Sequence, residues 1–250
     1  MLNGKTALIT GASRGIGAAL AVGLAEAGAD IVLTDLDREA DPLGMVKAKV
    51  DSLGRKAAVF SIDVTDKAAV EDTFAEATAA MGQIDILVNN AGILSASRLE
   101  DLSEASWDAH FDVNAKGVLL CTNAVLPQMR ARKAGRIINI ASLAARQGIP
   151  TEGHYAATKA TVVTLTRVFS QEVGEDGITV NAICPGIILT EMAMNKLGSQ
   201  AEVDKWAQGT ALKRLGDPKD VVGPAVFFAS ELSGFVTGQA LNVCGGLYFH

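Results

Sequence analysis

Apolar residues follow two alternating rhythms along this chain. Short β-prone runs, such as Lys5-Thr-Ala-Leu-Ile-Thr10 and Asp30-Ile-Val-Leu-Thr-Asp35, are followed by longer stretches with helical spacing. The first helical stretch is alanine-rich, reaches Ala27 and stops at Gly28. The pattern then repeats. Helices are predicted over 42–53, closed by Gly54, and over 66–81, closed by Gly82, with strands over 56–62 and 84–88. Helical pattern in two pieces covers 103–132. Then come a strand over 135–141, a helix over 152–173, a strand over 178–184, a helix over 218–230 and a last strand over 239–243.

Strands that alternate with helices predict parallel pairing and right-handed crossovers. The fold class is therefore α/β, a doubly wound sheet with helices on both faces. No linker or shift in composition interrupts residues 1–250, so one domain is expected. The least regular stretch is 187–217. It follows a strand end and carries Gly198, Gly209 and Gly216, so it reads either as a lid over a site or as a packed helical insertion.

Composition narrows the partners. The net charge of −6 argues against nucleic acid and against anionic lipid surfaces. Cys121, Cys184 and Cys244 are far apart, as are His110, His154 and His250, so neither a disulfide framework nor a metal site is supported. No apolar run approaches the ~20 residues of a membrane span, and the N-terminus enters a strand directly, without a signal-peptide pattern. These features lead to the expectation of a soluble cytoplasmic protein.

The loop Gly11-Ala-Ser13-Arg14-Gly15-Ile16-Gly17 lies between the first strand and the first helix. Glycines let a backbone approach a pyrophosphate, and the helix N-terminus offers oriented N–H groups and positive dipole. Asp35 ends the second strand, where a carboxylate can accept hydrogen bonds from ribose hydroxyls and repel a 2′-phosphate. Arg14 pulls the other way, since it could pair with that phosphate. The carboxylate is the more direct discriminator, which points to NAD rather than NADP. Asp63 and Val64 close the third strand and could hold an adenine edge; Asn89-Asn90-Ala91-Gly92 closes the fourth.

In a helix, Tyr155 and Lys159 stand one turn apart on one face. A nearby ammonium favours the phenolate form of a phenol. Alone, such a pair is an ordinary helical feature.

Together, Thr10-Gly11-Ala-Ser-Arg-Gly15-Ile-Gly17, Asn89-Asn-Ala-Gly92, Asn114, Ser142, Tyr155-x-x-x-Lys159 and Asn181-Ala-Ile-Cys-Pro185-Gly186 resemble the short-chain dehydrogenase/reductase family in content and order. The resemblance covers essentially the whole chain. It implies a seven-stranded sheet, a nicotinamide cofactor and often a homotetramer. It also implies roles. Tyr155 is the acid/base, Ser142 binds the substrate oxygen, and Lys159 holds the nicotinamide ribose and lowers the Tyr155 pKa. Asn114 holds a water that links Lys159 to solvent. Pro185, Gly186 and the Ile188 backbone flank the nicotinamide, with Thr190 near its carboxamide.

The expected reaction is reversible oxidation of a secondary alcohol to a ketone. Small polyols, sugars, hydroxyketones and cyclic alcohols all suit a pocket lined by Leu94, Leu143, Ile149 and Met192, with Arg146, Gln147, His154 and Glu191 as polar candidates. His154 points about 100° away from Tyr155 on an ideal helix, which suits an outer position equally well. An alternative is NADPH-dependent reduction of 3-oxoacyl groups on an acidic carrier protein. Glu175-Asp176 would repel such a carrier, and Arg130, Arg132, Lys133 and Arg136 read more simply as a solvated helix end. A second alternative is a non-catalytic dinucleotide sensor or scaffold on the same fold.

Overall fold

The fold is given by a computed structural model that describes residues 1–36 and 40–249; His250 lies outside them. Seven parallel strands form one sheet in the order β3-β2-β1-β4-β5-β6-β7. They are β1 (Thr6–Thr10), β2 (Asp30–Asp35), β3 (Ala57–Ser61), β4 (Ile86–Asn89), β5 (Gly135–Ile140), β6 (Ile178–Pro185) and β7 (Ala240–Val243). The central strands are apolar at almost every position because both faces are covered. Adjacent residues divide between the faces. Ile9, Leu33, Val88 and Ile138 pack with Leu20, Leu24 and Phe228 on one side. Leu8, Val32, Leu87 and Ile137 pack with Val70, Phe74, Val125 and Phe169 on the other. That split is the period-2 geometry of a strand expressed as two cores.

The helices are α1 (Gly15–Glu26), α2 (Ala40–Ser52), α3 (Lys67–Met81), α4 (Glu104–Phe111), α5 (Gly117–Arg132), α6 (Ala144–Gln147), α7 (Gly153–Glu172), α8 (Glu191–Leu197), α9 (Gln200–Gly209) and α10 (Val222–Ala229). Local chemistry sets several ends. The Asp66 carboxylate accepts from the N–H groups of Ala68 and Ala69, so α3 begins one residue after the predicted start. The 103–132 stretch is two α-helices joined by a π-helical turn, Asp112–Lys116. The predicted helix over 218–230 starts as a 3₁₀ turn, Pro218–Val221, held by an Asp217–Asp220 capping box.

Two features position the site. Asn89 Nδ2 donates to Asn139 Oδ1 at 2.8 Å and to Thr122 Oγ1 at 3.1 Å, and Asn139 Nδ2 donates to Thr166 Oγ1 at 2.9 Å. This buried chain ties β4 and β5 to α5 and α7. The second feature is the excursion after β6. Ile188 pairs with Gly216, the Gly216 N–H donates to Ile187 O at 2.9 Å, and the Leu189 N–H donates to Gly216 O at 2.8 Å. Between these two points lie α8, capped by Thr190, and α9, capped by Ser199. Of the two sequence readings, helical insertion describes its secondary structure. No helix of the described residues is long and apolar enough to cross a membrane.

Candidate active site

A cleft of about 510 Å³ lies beyond the carboxyl ends of the strands. It brings together the sequence-nominated residues Gly11, Ser13, Arg14, Gly15, Ile16, Gly17, Asp35, Asp63, Val64, Asn90, Ala91 and Gly92 with Ser142, Tyr155, Lys159, Pro185, Gly186, Ile188 and Thr190. Of the nominated catalytic and cofactor-binding residues, Asn114 alone does not border it. A second cavity of about 800 Å³ beside β7 and α10 contains none of the glycine loop, Ser142, Tyr155 or Lys159.

At one end the glycine loop turns from β1 into α1. Gly11 and Gly15 have φ of +65° and +56°, which L side chains rarely adopt. A Cβ on Gly17 would collide with the Gly11 carbonyl oxygen, and one on Gly11 would come within 2.9 Å of the Ala91 Cα. No side chain caps α1. The buried Ser13 hydroxyl has no hydrogen-bond partner among the described residues. An uncapped helix start, an unpartnered hydroxyl and a loop that admits no side chains suit a phosphate group. Asp35 sits beside this cradle. Its Oδ2 accepts from the Ser13 N–H at 3.1 Å and its Oδ1 from the Leu36 N–H at 2.9 Å. Each oxygen keeps a further lone pair for a ribose hydroxyl. Arg14 reaches Glu191, with Nη1 3.8 Å from Oε2. Asn90 braces the loop by donating from Nδ2 to Thr10 O and Gly11 O, both at 2.9 Å.

At the other end, α7 carries Tyr155 and Lys159. Lys159 is 4 % exposed. Its Nζ donates to Ile140 O at 2.8 Å and lies 5.7 Å from the centre of the Tyr155 ring. Burial lowers its pKa to about 8. Burial raises the Tyr155 phenol to about 12, partly offset by a hydrogen bond with Ser142. Desolvation of the phenolate is the largest influence on this group. Ser142 also accepts from the Ala144 N–H at 3.1 Å, which fixes its oxygen at the start of α6.

Asn114 is fully buried in the π-helical turn. Its Oδ1 accepts from the Ile93 N–H at 2.8 Å, and its Nδ2 donates to Ile93 O at 2.9 Å and to Thr158 Oγ1 at 3.1 Å. The side chain thus clamps the segment that follows Gly92. A Cβ on Gly92 would sit 3.2 Å from Asn114 Oδ1 and 3.5 Å from Lys159 Nζ, so a glycine there lets the two pack closely. The Thr190 hydroxyl accepts from the Ala193 N–H at 3.3 Å as the cap of α8.

The substrate candidates divide. Leu94, Leu143, Ile149, Met192, Gln147 and Glu191 border the cleft. Arg146 does not. Its Nη2 donates to Ala240 O at 2.6 Å, and its guanidinium bonds the buried Cys184 thiol, so it serves the β6–β7 edge. His154 is fully buried outside the cleft. It lies against His110 with ring centroids 4.2 Å apart and shares a hydrogen bond with Ser95, 3.2 Å from its Nε2. Sequence reasoning missed Glu152, Lys196 and Trp206, which also border the cleft. The position of Glu152 three residues before Tyr155 was the available signal; Lys196 and Trp206 belong to helices that the pattern did not reveal.

The comparisons with known proteins agree with this geometry. A family model described as enoyl-(acyl carrier protein) reductase matches residues 11–248. The chain is 42 % identical to the (2S)-[(R)-hydroxy(phenyl)methyl]succinyl-CoA dehydrogenase subunit BbsD of Thauera aromatica, covering 98 % of this chain and 97 % of that one. It is 39 % identical to the gluconate 5-dehydrogenase of Gluconobacter oxydans, over 98 % and 95 %. A crystal structure of a gluconate 5-dehydrogenase from Burkholderia cenocepacia J2315, in complex with NADP and tartrate, superposes with a TM-score of 0.93 at 40 % identity, covering 98 % of this chain and 96 % of that one. The chain therefore belongs to the short-chain dehydrogenase/reductase family, as an NAD(P)-binding oxidoreductase that acts on CH–OH groups.

Proposed function

We propose that the protein reversibly oxidises a small secondary alcohol to a ketone with NAD(H), with Tyr155 as acid/base. The observation that carries this reading is the shared cleft: Ser142, Tyr155 and Lys159 stand at one end and the glycine loop with Asp35 at the other. Oxidised nicotinamide, when bound, supplies the hydride acceptor for the carbinol carbon. Gly11, Ser13, Gly15, Ile16 and Gly17 hold the pyrophosphate; Asp35 takes the adenosine ribose; Asp63 and Val64 flank the adenine. Asn90, Ala91, Gly92, Pro185, Gly186, Ile188 and Thr190 border the nicotinamide half. Ser142 holds the substrate oxygen, and Tyr155 takes the hydroxyl proton in oxidation and returns it in reduction. Lys159 holds the nicotinamide ribose. Asn114 sets the π-helical turn whose backbone attaches a water to the proton path.

A phenol with a pKa of about 12 is a poor base at neutral pH. Bringing it to about 7 takes roughly 7 kcal/mol of differential stabilisation. Lys159 is close enough to contribute, and the positive charge of oxidised nicotinamide adds to it. The acid/base therefore becomes competent when the cofactor is in place.

Gluconate 5-dehydrogenases among the relatives support a polyol or sugar-like substrate. A second reading, NADPH-dependent reduction of carrier-bound 3-oxoacyl groups, draws on Arg14 and on the family model's description. Asp176 pairs with Arg130 at 3.1 Å, so the acidic patch argues less strongly against a carrier than its sequence suggested. Residues 187–217 act as the substrate-covering segment. The open edge of β7, with Leu241 and Phe249 exposed, supports a homotetramer. NADH absorbance followed over a panel of secondary alcohols, with NAD and NADP in parallel, tests the reading. Dinucleotide binding without turnover across the panel replaces it with the sensor reading.

A further inference from the structure

Glu152 ends the loop before α7, three residues ahead of Tyr155. It is 2 % exposed, yet it borders the cleft beside Ser142 and Tyr155. A buried carboxylate is costly unless it is paired and hydrogen-bonded. Its Oε1 is sealed from solvent and forms an ion pair with the Lys196 ammonium of α8. An ionised carboxylate has about four lone-pair sites, so one ammonium leaves acceptor capacity unused. Glu152 borders the same cleft as Ser142 and Tyr155, which the reacting carbinol must meet. The influence of Glu152 on the Tyr155 phenol is consistent with its proximity.

The chemistry of the pair restricts what can complete it. Glu152 and Lys196 are together neutral, so a second cation is not called for. A substrate carboxylate facing Glu152 is repelled. An alkyl chain leaves the acceptors bare in a dry site. A neutral hydroxyl supplies a donor without disturbing the charge balance.

We propose, building on the alcohol-oxidation reading above, that Glu152 is a specificity-determining residue that selects substrates with a hydroxyl on the carbon next to the reacting carbinol. The substrate class is then vicinal diols in oxidation and α-hydroxyketones in reduction. In oxidation the carbinol C–H bond breaks and its electron pair leaves as hydride to oxidised nicotinamide. The O–H proton passes to Tyr155 and the C–O bond becomes C=O. The neighbouring hydroxyl keeps its proton and donates to Glu152 throughout. Lys196 couples this recognition to α8, so the group that reads the substrate is also the group to which the covering segment attaches.

The test compares kcat/KM for 2,3-butanediol, 2-butanol and 3-methoxy-2-butanol in the wild type and in Glu152→Gln. The wild type is expected to favour the diol over both comparators by about 10-fold or more, the range of a hydrogen bond to a charged group. Glu152→Gln should narrow that preference by a similar factor, mainly through KM. The ratio between substrates is the readout because general damage to folding or proton transfer cancels in it. A wild type that turns over 2-butanol or its ether as well as the diol overturns the proposal, whether or not the variant folds. So does a diol preference that survives Glu152→Gln. If no secondary alcohol is turned over by folded, dinucleotide-bound wild type, the underlying alcohol-oxidation reading fails and the proposal with it.

Discussion

The Lys159 ammonium lies 5.7 Å from the centre of the Tyr155 ring and is hydrogen-bonded to the Ile140 carbonyl rather than to the phenol. The two groups are neighbours in a dry site, and burial pushes them apart in acidity. The phenol rises to about 12 and the ammonium falls to about 8. In the cofactor-free protein, phenolate absorbance attributable to Tyr155, taken as the difference from Tyr155→Phe, should appear only above about pH 11. Saturation with NAD should move that titration downward. An unchanged titration on NAD binding would show that the cofactor does not activate the phenol.

Lys159 also predicts a stability trend. Below pH 8 it is protonated in both folded and unfolded chains. Between pH 8 and about 10.5 the folded chain sheds the proton while the unfolded chain keeps it, so this group makes stability rise with pH. The gain is at most on the order of 3 kcal/mol. Lys159→Met should therefore melt higher than wild type at pH 7, lack the rise above pH 8, and lose activity. Thermal melts from pH 7 to 10 measure the difference. Tyr155 acts oppositely above pH 10, where only the unfolded phenol ionises.

Tyr155→Phe removes the proton carrier and leaves the ring. Turnover of secondary alcohols should fall by about 10²–10⁴-fold, the usual contribution of a positioned acid/base. Dinucleotide affinity, followed by NADH fluorescence, should stay within a few-fold. Near wild-type turnover in this variant would remove Tyr155 from the mechanism.

Asp35→Asn keeps a side-chain oxygen for the turn that Ser13 and Leu36 form, and removes the charge that repels a 2′-phosphate. The NAD to NADP ratio of kcat/KM should drop by about 10-fold, roughly 1.4 kcal/mol. A wild type that prefers NADP would show that Arg14 dominates.

Gly17→Ala places a methyl group against the Gly11 carbonyl and close to Asn90 Nδ2. Overpacking of this kind costs about 1–3 kcal/mol. The expected result is weaker dinucleotide binding with a lowered melting temperature. Gly54→Ala is the control for strain without crowding, since nothing lies within 4 Å of a Cβ there.

The sheet was legible because its central strands are apolar on both faces; Leu8-Ile9 and Val32-Leu33 could hardly sit anywhere else. The strand order was not, because β1 pairs with both β2 and β4 and no local pattern encodes a partner so distant in sequence. α8 was missed because it is short and offers only part of its surface to Leu215 and Ile187. Asn114 fell within the helical pattern over 103–132 and lies in a π-helical turn with its amide on Ile93, a contact across 21 residues. His154 was legible in direction only. Its angular offset from Tyr155 turns it from the cleft, but its packing on His110 required the fold. Glu152 was passed over because a charge at a helix start is ordinarily a favourable dipole contact. Its ion pair with Lys196 is a property of tertiary structure.

The junction of Ile188 with Gly216 has a consequence for how this molecule can change over time. The excursion it closes leaves and rejoins the body at almost one point, so its length can vary at small entropic cost. The proton-handling side chains hang from β5 and α7, outside the closed loop. An exchange of α8 and α9 therefore alters the cover of the cleft, and the Lys196 partner of Glu152 with it, and leaves the acid/base in place. A chimera that carries a relative's 188–216 segment is a direct way to change the covering helices while Glu152, Ser142, Tyr155 and Lys159 stay in place.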